Sequence, residues 1–141
     1  MNTKASKKAN KGFTLMELII VLALLAIITA ILIPMFLSTT DRARLRSDIQ
    51  SARVIQNAMD LYRIERGSDA GNTSVAILSA LENADYISSS PSPQTAGATW
   101  GYDEDTRHFH INITNSPLNI RELVSSLSEA EREMVVGGTT P

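Results

Sequence analysis

A chain of 141 residues with 13 basic against 15 acidic side chains and no cysteine has room for one sizeable core. It excludes disulfide staples, thiol nucleophiles and cysteine-built zinc sites, and its three Phe, three Tyr and one Trp are too few for a nucleic-acid stacking platform. The net charge of −2 hides a segregation, with Lys4, Lys7, Lys8 and Lys11 unopposed in the first 16 residues and three arginines against ten acids, a formal −7, in residues 67–141.

Such asymmetry points to a targeting element or to packing against partners. Behind the basic leader, Leu18 to Ile33 reads LIIVLALLAIITAILI, with Thr29 its only polar member. With its flanks the apolar stretch covers residues 13–37, and about 20 apolar helical residues suffice to cross a bilayer core of about 30 Å. An ordinary secretory signal has a shorter apolar core followed by a small-x-small cleavage site. Here Pro34-Met35-Phe36-Leu37 follows instead. Four lysines precede the span and Arg42, Arg44 and Arg46 follow it, so the positive-inside rule favours a cytoplasmic N-terminus only weakly. Glu17 spoils a plain anchor. An acid within a span is costly and normally has a partner, unless it marks the interface and reaches water.

The run Lys11-Gly12-Phe13-Thr14-Leu15-Met16-Glu17-Leu18-Ile19 resembles the N-terminal processing signal of type IV prepilins and type II secretion pseudopilins. The resemblance covers about 25 residues and implies a sequence of events. Prepilin peptidase cuts between Gly12 and Phe13, Phe13 becomes the N-methylated terminus, Glu17 serves as the assembly glutamate and Pro34 kinks the helix. A methylated amine keeps its basicity, so Glu17 is available to neutralise it, within one helix or between copies, since positions four apart share a face. Ala23, Ala26 and Ala30 recur at helical spacing and permit close helix approach.

Beyond Pro34, Leu45, Ile49, Ala52, Ile55, Met59 and Tyr62 fall at steps of three or four, the period of an amphipathic helix. The first interruption is Gly67, a natural terminator. A helix from Thr14 to Arg66 would be about 80 Å long, too long for a 141-residue globule, so half of it belongs in membrane or in an assembly. Six arginines against four acids over residues 41–66 make the stem's polar face basic. That face reads as solvated, as contacting lipid headgroups, or as packing through Arg42 and Arg46 on a neighbour's acidic head.

In the head, Thr73 is an expected N-cap for a short helix carrying Val75, Leu78 and Leu81. A Ser/Pro loop from Ser88 to Pro93 follows. Thr99 to Tyr102, the acidic turn Asp103 to Thr106, and Arg107 to Ile113 read as a β-hairpin, because Phe109, Ile111 and Ile113 alternate with His108, His110 and Asn112. Ser116-Pro117 opens a helical stretch, Ser128 and Glu131 match a capping box, and Gly137 to Pro141 reads as a frayed tail.

The expected fold is therefore α+β, a long N-terminal helix, transmembrane in one half and amphipathic in the other, packed on a small head with a short antiparallel sheet and short helices. Its expected parts are a cleaved leader 1–12, a transmembrane and assembly helix 13–37, a stem 38–66 and a head 67–141. His108, His110 and the nearby acids have the ligand types of a metal site but read as exposed strand residues beside a solvated turn, and three consecutive acids lack calcium-loop spacing. No phosphate loop or nucleophile–base pair occurs, so neither catalysis, a cofactor nor a metal is expected. The acidic head repels phosphate, so no direct nucleic-acid contact is expected either. The resemblance implies a non-enzymatic subunit of a type IV pilus or pseudopilus. Its expected partners are itself, prepilin peptidase, the inner-membrane assembly machinery and the bilayer before assembly. It would start as a single-pass inner-membrane protein with the head outside the cytoplasm, then enter an extracellular or periplasmic filament. The competing reading is an unprocessed signal-anchored protein whose head is an extracytoplasmic binding module.

Overall fold

The computed structural model describes residues 13–138. Its elements are α1 (Leu15–Arg66), α2 (Ser74–Asn83), β1 (Thr99–Asp103), β2 (His108–Asn112), α3 (Leu118–Leu123), a 3-10 turn (Val124–Ser126), α4 (Glu129–Arg132) and β3 (Val135–Val136). The fold is α+β, as expected. The chain divides into two units, residues 1–37 and 38–141.

In the first unit the described large apolar side chains are all exposed, from Val21 at 45% to Phe13 at 83%. A helix apolar on every side has no seam to face a core, and this one is long and apolar enough to cross a membrane. Its one polar interior residue is satisfied locally, the Thr29 hydroxyl donating to the Leu25 carbonyl at 2.7 Å. Helix continues through Pro34, although proline has no N–H to donate to the carbonyl four residues back.

The second unit holds the core. The stem positions read from the period, Leu45, Ile49, Ala52, Ile55 and Met59, are all buried, with Tyr62 partly buried against them. Their partners are Ile77, Leu78 and Leu81 from α2 and Phe109, Ile111 and Ile113 from the β2 segment. Thr73 caps α2, its hydroxyl accepting from the Ala76 N–H at 3.3 Å. Val75, expected on the buried face, is 74% exposed, and Ile77 is buried in its place. At about 100° per residue, Ile77, Leu78 and Leu81 share one arc and Val75 lies across the helix from Ile77.

β1 and β2 form the expected antiparallel hairpin, with Trp100 opposite Ile111 and Tyr102 opposite Phe109. The Asp103 carboxylate closes its turn by accepting from the N–H groups of Asp105 (3.0 Å) and Thr106 (3.2 Å). Arg107 completes the reversal in the left-handed region at φ 56°. The sheet is mixed rather than purely antiparallel, because β3 pairs parallel to β2. The helical segment from α3 to α4 is the crossover that a parallel neighbour requires. It delivers the Met134 and Val136 carbonyls to the Ile111 and Ile113 N–H groups at 2.9 and 2.8 Å.

The start of the expected frayed tail is packed instead. Gly137 sits at φ 90°, and a Cβ there would lie 2.3 Å from the Thr114 hydroxyl, so only glycine fits. Residues 139–141 lie outside the described residues. The Ser128–Glu131 capping box is present. Pro117 stands at the N-cap of α3, just ahead of the first turn.

One buried charge joins the stem to the irregular segment between α2 and β1. Asp48 is 2% exposed. Its carboxylate accepts from the Gln94 N–H at 2.9 and 3.0 Å and from the Thr95 N–H at 2.8 Å. The Trp100 indole N–H holds the same segment through the Pro91 carbonyl at 2.7 Å. A segment without helix or strand thus has its backbone groups met by side chains, as burial demands.

Candidate functional site

The chemistry-bearing residues of the first unit gather at the start of α1. Thr14 precedes the helix, and its hydroxyl accepts from the Glu17 N–H at 3.2 Å. Glu17 reaches back, its Oε2 accepting from the Thr14 N–H at 3.1 Å and from the Thr14 hydroxyl at 3.0 Å. This reciprocal pair is a capping box, the pattern Thr-x-x-Glu at a helix start. Thr14 was legible in the sequence by that pattern, yet Glu17 alone drew notice as an acid in search of a partner.

The arrangement divides the two carboxylate oxygens. Oε2 is committed to Thr14, whereas Oε1 has no hydrogen bond among the described residues. Two donors on one oxygen offset part of the cost of holding a charge away from water. The other oxygen stays available to a cation. Phe13 is 83% exposed beside it. Gly12 lies outside the described residues, and Pro34 falls within α1, so the capping box brings together only Thr14 and Glu17.

The stem arginines divide as well. Arg46, expected in solvent, at lipid headgroups or against a neighbour's head, pairs with Glu131 of its own head at 3.4 Å, and Arg53 donates to the Ala130 carbonyl at 2.8 Å. Glu131 is a junction. Its carboxyl is held below the usual range by the Ser128 N–H and hydroxyl, with a smaller contribution from Arg46. At the far end of α1, Arg63 meets Asp69 at 2.5 Å, Arg66 lies 5.5 Å from the centre of the Tyr62 ring, and the Tyr86 hydroxyl donates to Glu65.

A cleft of about 380 Å³ on the outer face of the sheet is lined by Asp103, Thr106, His108, His110, Glu133 and Val136. His110 packs over Gly101, where a Cβ would stand 2.2 Å from its Nε2. Burial pushes His110 below the usual imidazole range, while the N–H groups of Thr106 and Asp105 help hold the Asp103 carboxyl below its own. Among the described residues no three side chains of His, Asp or Glu converge as metal ligands.

Residues 7–33 match the family model of the prokaryotic N-terminal methylation motif. The chain is 34% identical over 80 residues to prepilin peptidase-dependent protein A of Clostridium perfringens, covering 57% of this chain and 56% of that protein. It is 27% identical over 135 residues to a fimbrial protein of Pseudomonas aeruginosa, covering 92% and 76%. It is 25% identical over 59 residues to type II secretion system core protein G of Aeromonas hydrophila, covering 42% and 41%. The chain thus spans little more than half the length of the Clostridium protein. No solved structure matches it. The resemblance to prepilins and pseudopilins drawn from residues 11–19 is met by this motif and these relatives.

Proposed function

We propose that this protein is a structural, non-enzymatic subunit of a type IV pilus or pseudopilus filament, cut by prepilin peptidase between Gly12 and Phe13 and polymerised through α1. One observation carries the reading. The methylation motif at residues 7–33 coincides with a helix that is apolar on every side and exposed, except for a Glu17 whose carboxylate is oriented by Thr14. A plain anchor needs neither the acid nor its orientation.

Cleavage removes four lysines and leaves a basic amine at Phe13. In the proposed assembly step, Glu17 Oε1 neutralises such an amine inside an apolar bundle, where an unpaired charge of either sign is costly. Residues 13–37 hold the waiting subunit in the inner membrane, with the head on the side away from the cytoplasm. Extraction by the assembly machinery exchanges lipid contacts for contacts with other copies, and the Ala23, Ala26 and Ala30 positions admit close helix approach. Pro34 is proposed to let the helix bend there.

Mass spectrometry of the N-terminal peptide from membrane and sheared fractions tests the reading. A methylated peptide beginning at Phe13 in sheared material is expected. A peptide retaining Lys4 to Lys11 in every fraction would make the chain an unprocessed anchor and move its function to the head.

A further inference from the structure

Of the six arginines in the stem, four are engaged by the chain itself: Arg46 by Glu131, Arg53 by the Ala130 carbonyl, Arg63 by Asp69 and Arg66 by the Tyr62 ring. Arg42 and Arg44 are different. Both are exposed, and neither makes a hydrogen bond or ion pair among the described residues. The adjacent acid does not serve them by hydrogen bond, since the Asp41 carboxylate accepts from the Asn119 amide at 3.1 Å.

Their place on the chain is specific. They follow Leu37, the end of the apolar stretch, by five and seven positions, about 7 to 10 Å of helix. A bilayer's headgroup layer is about 5 to 7 Å deep on each side of its hydrocarbon core. With residues 13–37 in hydrocarbon, both guanidinium groups reach the phosphates, and their flexible stems allow them to turn back toward that layer. Residues two apart on a helix stand about 200° apart. One protein partner meets one side of a helix, whereas lipid surrounds it.

We infer that Arg42 and Arg44 bind the phosphates of anionic phospholipids, one on each side of the stem, and that this seats the subunit at a fixed depth before assembly. The guanidinium fork matches a phosphate by two parallel hydrogen bonds. The inference rests on the membrane-embedded stage of the proposed function and deepens it by naming a ligand class. It does not depend on which leaflet receives the arginines.

The test uses the full chain in lipid nanodiscs of equal phosphatidylglycerol and phosphatidylcholine, with the retained lipids counted by native mass spectrometry. Enrichment of phosphatidylglycerol is expected, of which the two arginines at an anionic surface supply about thirty-fold. It should fall by about that factor in Arg42→Gln/Arg44→Gln, the leader lysines keeping their own share, and persist in full in Arg46→Gln. The double variant should melt with the wild type, because neither residue has a hydrogen-bond or ion-pair partner among the described residues. Parity in the wild type, or enrichment undiminished in the double variant, overturns the inference. So does a filament defect of Arg42→Glu/Arg44→Glu that is restored by Glu129→Lys/Glu133→Lys, which would assign the arginines to a second copy. Retention in carbonate-washed membranes separates the two levels: a chain that stays there but shows lipid parity sinks only the lipid contact, and one that washes off removes the membrane stage as well.

Discussion

Residues 15–37 and residues 38–66 belong to one helix and solve opposite problems. The first part shows apolar side chains around its whole circumference, while the second buries a single stripe from Leu45 to Met59 and leaves its arginines outside. Apart from the N–H that Pro34 lacks, both parts carry the same helical backbone, so the difference lies in the solvent each side chain requires. An all-round apolar surface is stable only in lipid or among like helices. A striped one needs a head to cover it, and this chain supplies that head from residues 67–138. The lesson is that a helix can be continuous in backbone and discontinuous in what stabilises it.

Substitutions in the two parts should therefore fail in different ways. The largest expected effect is in the first. Glu17→Ala should leave membrane insertion and head melting unchanged while reducing sheared filament to background, and wild-type filament yield would refute the role given to this acid. Thr14→Ala removes one of the two donors to Glu17, the hydroxyl, and keeps the other, the backbone N–H. It should lower filament yield less than Glu17→Ala does.

In the second part, Phe109→Ala empties a fully buried site and should cost about 3–5 kcal/mol of head stability, read as a lowered denaturation midpoint. Leu25→Ala, in the exposed apolar unit, should not move that midpoint. Asp48→Ala strands the Gln94 and Thr95 N–H groups and should cost about 2–4 kcal/mol, with faster hydrogen exchange confined to residues 88–95. The smallest effect belongs to Arg46→Ala, which breaks a pair whose arginine is 54% exposed and should cost under about 1 kcal/mol.

The pH dependence sharpens the same contrast, because the shifted groups outside the apolar segment all lie in the second unit. His110 titrates below its unfolded value owing to burial. Its stabilising contribution is complete above the unfolded imidazole pKa and declines as pH falls from there toward the folded value, where the unfolded chain binds the extra proton. Glu131 and Asp103, held low by Ser128 and by the Thr106 turn, lose theirs at lower pH, as the fall passes through their folded values. Acid melts of the wild type should show both phases, and His110→Gln should lack the upper one.

The helical stem was legible because its stripe repeats at 3.6 residues and each member, Leu45 to Met59, faces the same way whatever covers it. The hairpin was legible for the same reason at period two. Val75 was misplaced because a ten-residue helix contains several apolar pairs, and only contact with the stem selects Ile77 among them. β3 was missed because two valines after a helix carry no period, and the Met134 carbonyl becomes a strand partner only when the crossover returns it to β2. Asp48 looked like one more acid on a polar face. Its carboxylate acquires a purpose only from the N–H groups of a loop 46 residues away.

What the sequence alone determined is what local order dictates: a basic leader, an apolar run of membrane length, Thr14 and Glu17 three apart at its start, and a striped stem. Such features depend on neighbours within one or two helical turns. Tertiary structure decided the parallel third strand, the buried Asp48 clamp, and the division of the stem arginines into four the fold employs and two with no hydrogen bond or ion pair among the described residues. Each of these depends on which distant segment arrives beside which side chain, and pattern along the chain carries no record of that meeting.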